Sequence, residues 1–357
     1  MVIENEERLL PDRIEGVPSP DEATHVIGHD KAMTGLINAY RSGRMHHAWL
    51  VCGPRGIGKA SFAFAFAKYL LSHPNPDLAP DQFNPDELSA SVCGQVAQGG
   101  HPDLLHLMRP WDENRKRFKT QLSVEEIRRT QHFYGLTAGA EGWRVTILDC
   151  ADEMNRNAAN ALLKILEEPP KRSLFFVLCH SPGRLLPTIR SRCQTLPLSP
   201  LGPDQITDVL EQISYSAPDG DMKKAAQLAD GSVRTAIKLL GGDVLASFET
   251  FEKLMERGAS GQPEDWVAAH KISDDLSRKG NEEAFDLFCD LVMGWMGRQV
   301  RETARQLPLS HLAEMAEAWD KAGNSINTAQ AFNLDKKQVV LSLFASLFAY
   351  NAIAKAG

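Results

Sequence analysis

The chain has 357 residues, of which 43% are hydrophobic and 24% charged, an ordinary globular composition with length for two or three domains. With 46 acidic against 39 basic side chains and a net charge of −7, it is not a protein that coats nucleic acid through its overall field, so any DNA contact must be local. The acidic start MVIENEERLLPDRIEG has no apolar core and does not read as a signal peptide, and the longest apolar-rich run, Val339 to Ala354, is too short to span a bilayer. Six scattered cysteines with no Cys-x-x-Cys pair argue against a disulfide framework or a zinc ribbon and fit a reducing cytoplasm.

Residues 1–22, with Pro11, Pro18, Pro20 and many acids, read as a flexible arm. His25-Val26-Ile27-Gly28-His29 then leads into a helix from Asp30 to Arg41, with Asp30 as its N-cap. Ala48-Trp49-Leu50-Val51-Cys52 is a buried strand. It runs into Gly53-Pro54-Arg55-Gly56-Ile57-Gly58-Lys59-Ala60-Ser61 and a helix from Phe62 to Leu71. Strand, glycine loop and helix form the setting of a P-loop. Gly53, Gly56 and Gly58 let backbone N–H groups turn toward phosphate, the helix N-terminus adds positive potential, and Lys59 reaches the outer phosphates. Ala60 stands where Ser or Thr would ligate magnesium, and a methyl group cannot do so. A loop retained only to pack strand against helix is the competing reading.

Ser72 to Gly100, with prolines at 74, 76, 80 and 85, carries no helix or strand signal. Another strand follows at Leu104-Leu105-His106-Leu107. Arg109 to Lys119 interleaves five basic residues with Trp111 and Phe118, but Asp112 and Glu113 dilute it, and a solvated charged loop is the preferred reading over a DNA contact. Ser123-Val124-Glu125-Glu126 has the form of a capping box and starts a helix to about Leu136, and Gly139 to Gly142 is a turn.

The stretch from Arg144 to Cys193 is the most informative. Val145-Thr146-Ile147-Leu148 is a buried strand closed by Asp149, a helix with a broad apolar face stops at Pro169-Pro170, and Leu174 to Leu178 is a second buried strand. A break at Ser181-Pro182-Gly183 and a short basic helix lead to Ser191-Arg192-Cys193. Cys150, directly after Asp149, is a poor water-orienting base, because a thiol of ordinary pKa about 8.5 is mostly protonated at neutral pH. Beyond a hinge at Pro197 to Pro203, helices are expected at Pro203–Ile213, Asp219–Ala229 and Ser232–Leu240, and from about Gly241 the apolar spacing is helical throughout.

The strings NALLKILEEPP and LPTIRSRC resemble the clamp-loader branch of the AAA+ ATPases, most closely its delta-prime family, from about Val26 to about Leu240. The resemblance implies a P-loop AAA+ α/β domain (23–200), a small helical lid (201–242) and an all-α collar for oligomerisation (243–357). It places Gly53, Gly56, Gly58, Lys59, Asp149 and Arg234 around a nucleotide, ATP, although Arg234 reads equally well as an exposed residue after an N-cap at Ser232. Val26-Ile27-Gly28 reads equally as a wall for the base or a plain turn. Arg192, framed by Ser191 and Cys193, is implied as an arginine finger acting on ATP held by the next subunit. Ala60 and Cys150 depart from the family's magnesium ligand and water-orienting glutamate, and the phosphate-sensor position falls at Cys179, which departs from it, or at His180, which could hydrogen-bond a phosphate. Relatives carry four zinc-binding cysteines near residue 93, whereas here only Cys93 remains, and no zinc is expected.

The function so implied is that of a stator in a DNA polymerase III clamp loader. Its partners would be gamma/tau-like and delta-like subunits, and through the complex the sliding clamp and primed DNA. The alternatives are an ATP-hydrolysing gamma/tau-like motor subunit of the same loader and an unrelated P-loop enzyme, for which no acceptor pocket is evident.

Overall fold

The computed structural model describes residues 10–135, 142–278, 282–304, 308–332 and 334–356. Residues 1–9 of the arm, the end of the fourth helix at Leu136, all but the last residue of the Gly139–Gly142 turn, and Asn333 lie outside them. The described residues form two compact units, one running to Ser216 and including Asp230–Arg234, the other made of Ala217–Ala229 and the chain from Thr235 onward.

The first unit is a parallel sheet with helices on both faces. In chain order its elements are α1 (Asp30–Arg41), β1 (Ala48–Cys52), α2 (Lys59–Ser72), α3 (Ala90–Ala97), β2 (Leu104–Leu107), β3 (Trp111–Asp112), β4 (Arg117–Phe118), α4 (Val124–Gly135), β5 (Arg144–Leu148), α5 (Arg156–Glu167), β6 (Ser173–Cys179), α6 (Pro187–Arg190), β7 (Gln194–Pro197) and α7 (Pro203–Gln212). The five-stranded order is β2-β5-β6-β1-β7, all parallel. Every residue of β1 and β6 is buried, which is why both read as unbroken apolar runs. Alternate side chains serve two cores. Trp49, Val51, Ile147, Phe176 and Leu178 pack with α1, α2 and α3, whereas Leu50, Cys52, Leu148, Phe175 and Val177 pack with α4, α5 and α6. Phe62, Phe64 and Phe66 of α2 are fully buried, each stabilising the layer by about 1.5–3 kcal/mol.

Several local expectations change. The N-cap of α1 is His29, with Asp30 the first helical residue. Gly28 is left-handed at φ 83°, and the His29 Nε2 is 2.8 Å from the Ile57 carbonyl, which fixes the chain's entry one residue earlier. The stretch 72–100 contains α3, capped by Ser89, whose Oγ accepts from Val92 N at 3.5 Å. Eight mostly small residues give too weak a period to read in advance. The loop at 109–119 is a short hairpin of β3 and β4 closed by Trp111 edge-on to Phe118 at 5.0 Å. The described part of the arm is docked. Ser19 and Asp21 are buried, and the Lys68 ammonium, 1% exposed, donates to the Ala23 carbonyl at 2.7 Å.

The second unit is all helical: α8 (Asp219–Leu228), most of α9 (Val233–Leu240), α10 (Val244–Glu256), α11 (Pro263–Leu276), α12 (Glu282–Thr303), α13 (Leu309–Phe332) and α14 (Lys336–Ala356). Phe248, Phe251 and Phe288 form its aromatic centre. The Asp265 carboxylate accepts from the backbone N–H groups of Ser260, Gly261 and Gln262 at 3.0–3.1 Å and so closes the start of α11. Among the described residues no helix is long and apolar enough to cross a membrane.

Candidate functional site

The loop after β1 has the backbone of a phosphate cradle. Gly53, Gly56 and Gly58 have φ of 156°, 77° and 92°, conformations that L side chains rarely adopt. Gly56 is also glycine for a packing reason, since a Cβ there would meet Ser232 Oγ at 2.2 Å and Arg234 Cβ at 2.6 Å. Lys59 is turned back on the loop, and its ammonium donates to the carbonyls of Gly53 at 2.7 Å and Pro54 at 2.5 Å. Burial pulls its pKa down to about 8, against the opposing pull of Asp149. The backbone therefore fits a polyphosphate. Position 60 is alanine, whose methyl group has no oxygen to ligate magnesium.

Asp149 ends β5, with its N–H on the Leu107 carbonyl at 2.8 Å. Cys150 follows in the left-handed region at φ 61°. Burial and the neighbouring Asp149 carboxylate push its thiol well above its ordinary value. Its Sγ lies 3.4 Å from His180 Nε2, and burial, assisted by the charge of Lys59, drops His180 to about 4. The Cys150 thiol is therefore protonated at physiological pH and is not a thiolate nucleophile. Cys179, fully buried at the end of β6, is pushed up to about 12, chiefly by burial. Asp152 receives the N–H groups of His180 at 3.2 Å and Ser181 at 3.1 Å and ties the ends of β5 and β6 together.

Around this loop runs a closed circuit of charges. Arg55 pairs with Glu153, Glu153 with Arg109 at 3.1 Å, and Arg109 with Asp12 at 3.3 Å. Asp12 also accepts the Arg234 guanidinium on its backbone carbonyl and faces it with its carboxylate at 3.8 Å. The Arg234 N–H approaches the Gly56 carbonyl at 3.4 Å and returns the circuit to the loop. The expected solvated Arg109 is thus held between two carboxylates. Among the described residues no group of three or more His, Cys, Asp or Glu side chains is placed to hold a metal ion.

Arg192 lies elsewhere. Its guanidinium donates to the Thr188 carbonyl at 3.0 Å and pairs with Glu167 at 2.8 Å, while Ser191 Oγ donates to Thr188 at 3.0 Å and Cys193 is buried. The sheet register sets its level. Gln194, two residues on, is opposite Trp49, and Pro197 is opposite Cys52. Arg192 therefore enters β7 at the strands' N-terminal edge, and the glycine loop leaves β1 at the C-terminal edge. At about 3.3 Å per strand residue, the four steps from Trp49 to Gly53 span about 13 Å.

A family model described as "DNA polymerase III, delta subunit" matches residues 28–202. The delta-prime subunit of DNA polymerase III from Pseudomonas aeruginosa is 30% identical over 313 residues, covering 83% of this chain and 86% of that protein. This chain belongs to the delta-prime family of DNA polymerase III subunits. The Bacillus subtilis delta-prime subunit is 38% identical over 60% of each chain. The tau subunit of Escherichia coli is 32% identical over 62% of this chain but only 32% of its own length. For this delta-prime family member, a parallel sheet with flanking helices and an all-helical C-terminal unit agree with the expected fold class.

The structure gathers Gly53, Gly56, Gly58, Lys59, Asp149 and Arg234 at one edge of the sheet and leaves Arg192, with Ser191 and Cys193, apart from them. Sequence reasoning missed Asp12, Arg55, Glu153 and His29. His29, next to a left-handed glycine, left a local signal. The partners of Asp12 lie 97 and 222 residues away and left none.

Proposed function

We propose that this chain is a stator of a clamp loader: it does not turn over ATP itself but lends Arg192 to ATP bound by a neighbouring gamma/tau-like subunit. The assembly, with a delta-like subunit, would use that hydrolysis to load a sliding clamp onto primed DNA in the cytoplasm. The register carries this reading, since Arg192 sits at the sheet edge opposite its own glycine loop. Its guanidinium uses one N–H on Thr188 and one on Glu167, leaving donors of its planar fork for phosphate oxygens. An arginine finger supplied in trans offsets charge on the transferring phosphoryl group and contributes roughly 10³–10⁵ in rate. At the opposite edge, the methyl group of Ala60 and the neutral Cys150 support the absence of turnover in this chain.

The motor reading draws on the retained Gly53, Gly56, Gly58, Lys59 and Asp149 and on the likeness to tau. Steady-state ATP hydrolysis by a reconstituted loader decides between them. With Arg192→Ala in this chain the rate should fall by about 10³ or more, and the isolated chain should show no turnover. Hydrolysis by the isolated chain, with an assembly indifferent to Arg192→Ala, would establish the motor instead.

A further inference from the structure

The charge circuit places a piece of the chain's own N-terminal segment on cationic groups beside the glycine loop. Arg234 is fixed over that loop by its own backbone and by Ser232 against Gly56. Arg109 is tied to the loop through Glu153 and Arg55. Both guanidinium groups end on Asp12. We propose that the segment around Asp12 is an intramolecular plug of the P-loop site, in which the Asp12 carboxylate and carbonyl occupy Arg234 and Arg109 in place of the phosphates of a nucleoside triphosphate.

Four observations support the plug. Asp12 turns the chain in the left-handed region at φ 64°, a conformation that Asp tolerates better than most residues. The segment is anchored at its far end, where Ser19 and Asp21 are buried and Lys68 holds the Ala23 carbonyl. The Asp12 charge is close enough to act on both His180 and Cys150, which touch each other at 3.4 Å. Lys59 in the same state is turned onto the loop's own carbonyls, so three cations that would meet a polyphosphate are engaged internally. Asp12 is half exposed at 50%, against 27% for Arg234 and 18% for Arg109, so the solvated carboxylate can be displaced.

A bound-state tax of this kind lowers apparent affinity by the fraction of molecules that are open. The proposal is independent of the role of Arg192 and is tested on the isolated full chain by titration calorimetry with MgATP. Asp12→Asn removes the charge and Asp12→Gly the side chain, and both tolerate a positive φ. Each should bind MgATP about fivefold to tenfold more tightly than the unmodified chain, as expected for the loss of two partly exposed ion pairs. Glu15→Gln, which removes an exposed charge from the same segment, should leave the affinity unchanged. A second measurement is hydrogen exchange over residues 10–16, which should quicken on adding MgATP to the unmodified chain. Equal affinity for all four chains, equal gains from Glu15→Gln and Asp12→Asn, or no MgATP binding by any of them would overturn the plug.

Discussion

The two edges of the sheet in the first unit are built alike and finished differently. At the C-terminal edge the P-loop backbone is complete, yet its charges answer one another: Lys59 meets its own loop, and Arg55, Arg109 and Arg234 meet Glu153 and Asp12. At the N-terminal edge Arg192 stands at the surface with one carboxylate and one carbonyl for company. Backbone shape can outlast chemistry, because glycine conformations are fixed by packing as well as by ligand. Gly56 is held by Ser232 and Arg234 whether or not phosphate is present. Arg192 is held by surface contacts to Glu167 and the Thr188 carbonyl, which leave further donors of its guanidinium.

Three substitutions press on that contrast. Arg192→Ala has the largest expected effect, the loss of about 10³ or more in assembled ATP turnover given above, with the fold of the isolated chain unchanged by circular dichroism. Gly56→Ala comes next. It must adopt φ 77° and displace Ser232 and Arg234, costing about 2 kcal/mol. Urea unfolding should show that loss, and hydrogen exchange at 230–234 should rise, while assembled turnover keeps its dependence on Arg192. If Gly56→Ala abolished assembled turnover as Arg192→Ala does, the two edges would not be functionally separate. Glu167→Gln should be the mildest. An exposed pair contributes about 0.2–1 kcal/mol, so assembled turnover should change by no more than about fivefold and become less sensitive to salt.

The sequence reveals what depends on local pattern. The β1–loop–α2 unit, the strand ending in Asp149, the α5 helix stopped by Pro169-Pro170 and the helices near 203, 219 and 232 all lie where their periodicity and breakers place them. The hairpin of β3 and β4 was hidden because Trp111 and Phe118 pair over only two residues. The circuit through Asp12 could not be read at all, since an ion pair between residues about 100 or 200 positions apart leaves no spacing to count. Arg109 illustrates the limit: flanking charges made it look solvated, and tertiary contacts made it a link between two acids.

The buried ammonium groups of α2 carry a further consequence. Burial lowers the pKa of both Lys59 and Lys68, Lys59 to about 8 from an ordinary 10.5. Below about pH 8 the Lys59 ammonium is charged whether the chain is folded or not. Between about 8 and 10.5 the folded chain has released that proton while an unfolded one keeps it, so its contribution to stability grows with pH over that window. Unfolding at pH 9 therefore consumes a proton at Lys59. The apparent unfolding enthalpy in a calorimeter should then shift with the ionisation heat of the buffer, a thermal signature of a helix that begins at a phosphate loop and keeps its cations dry.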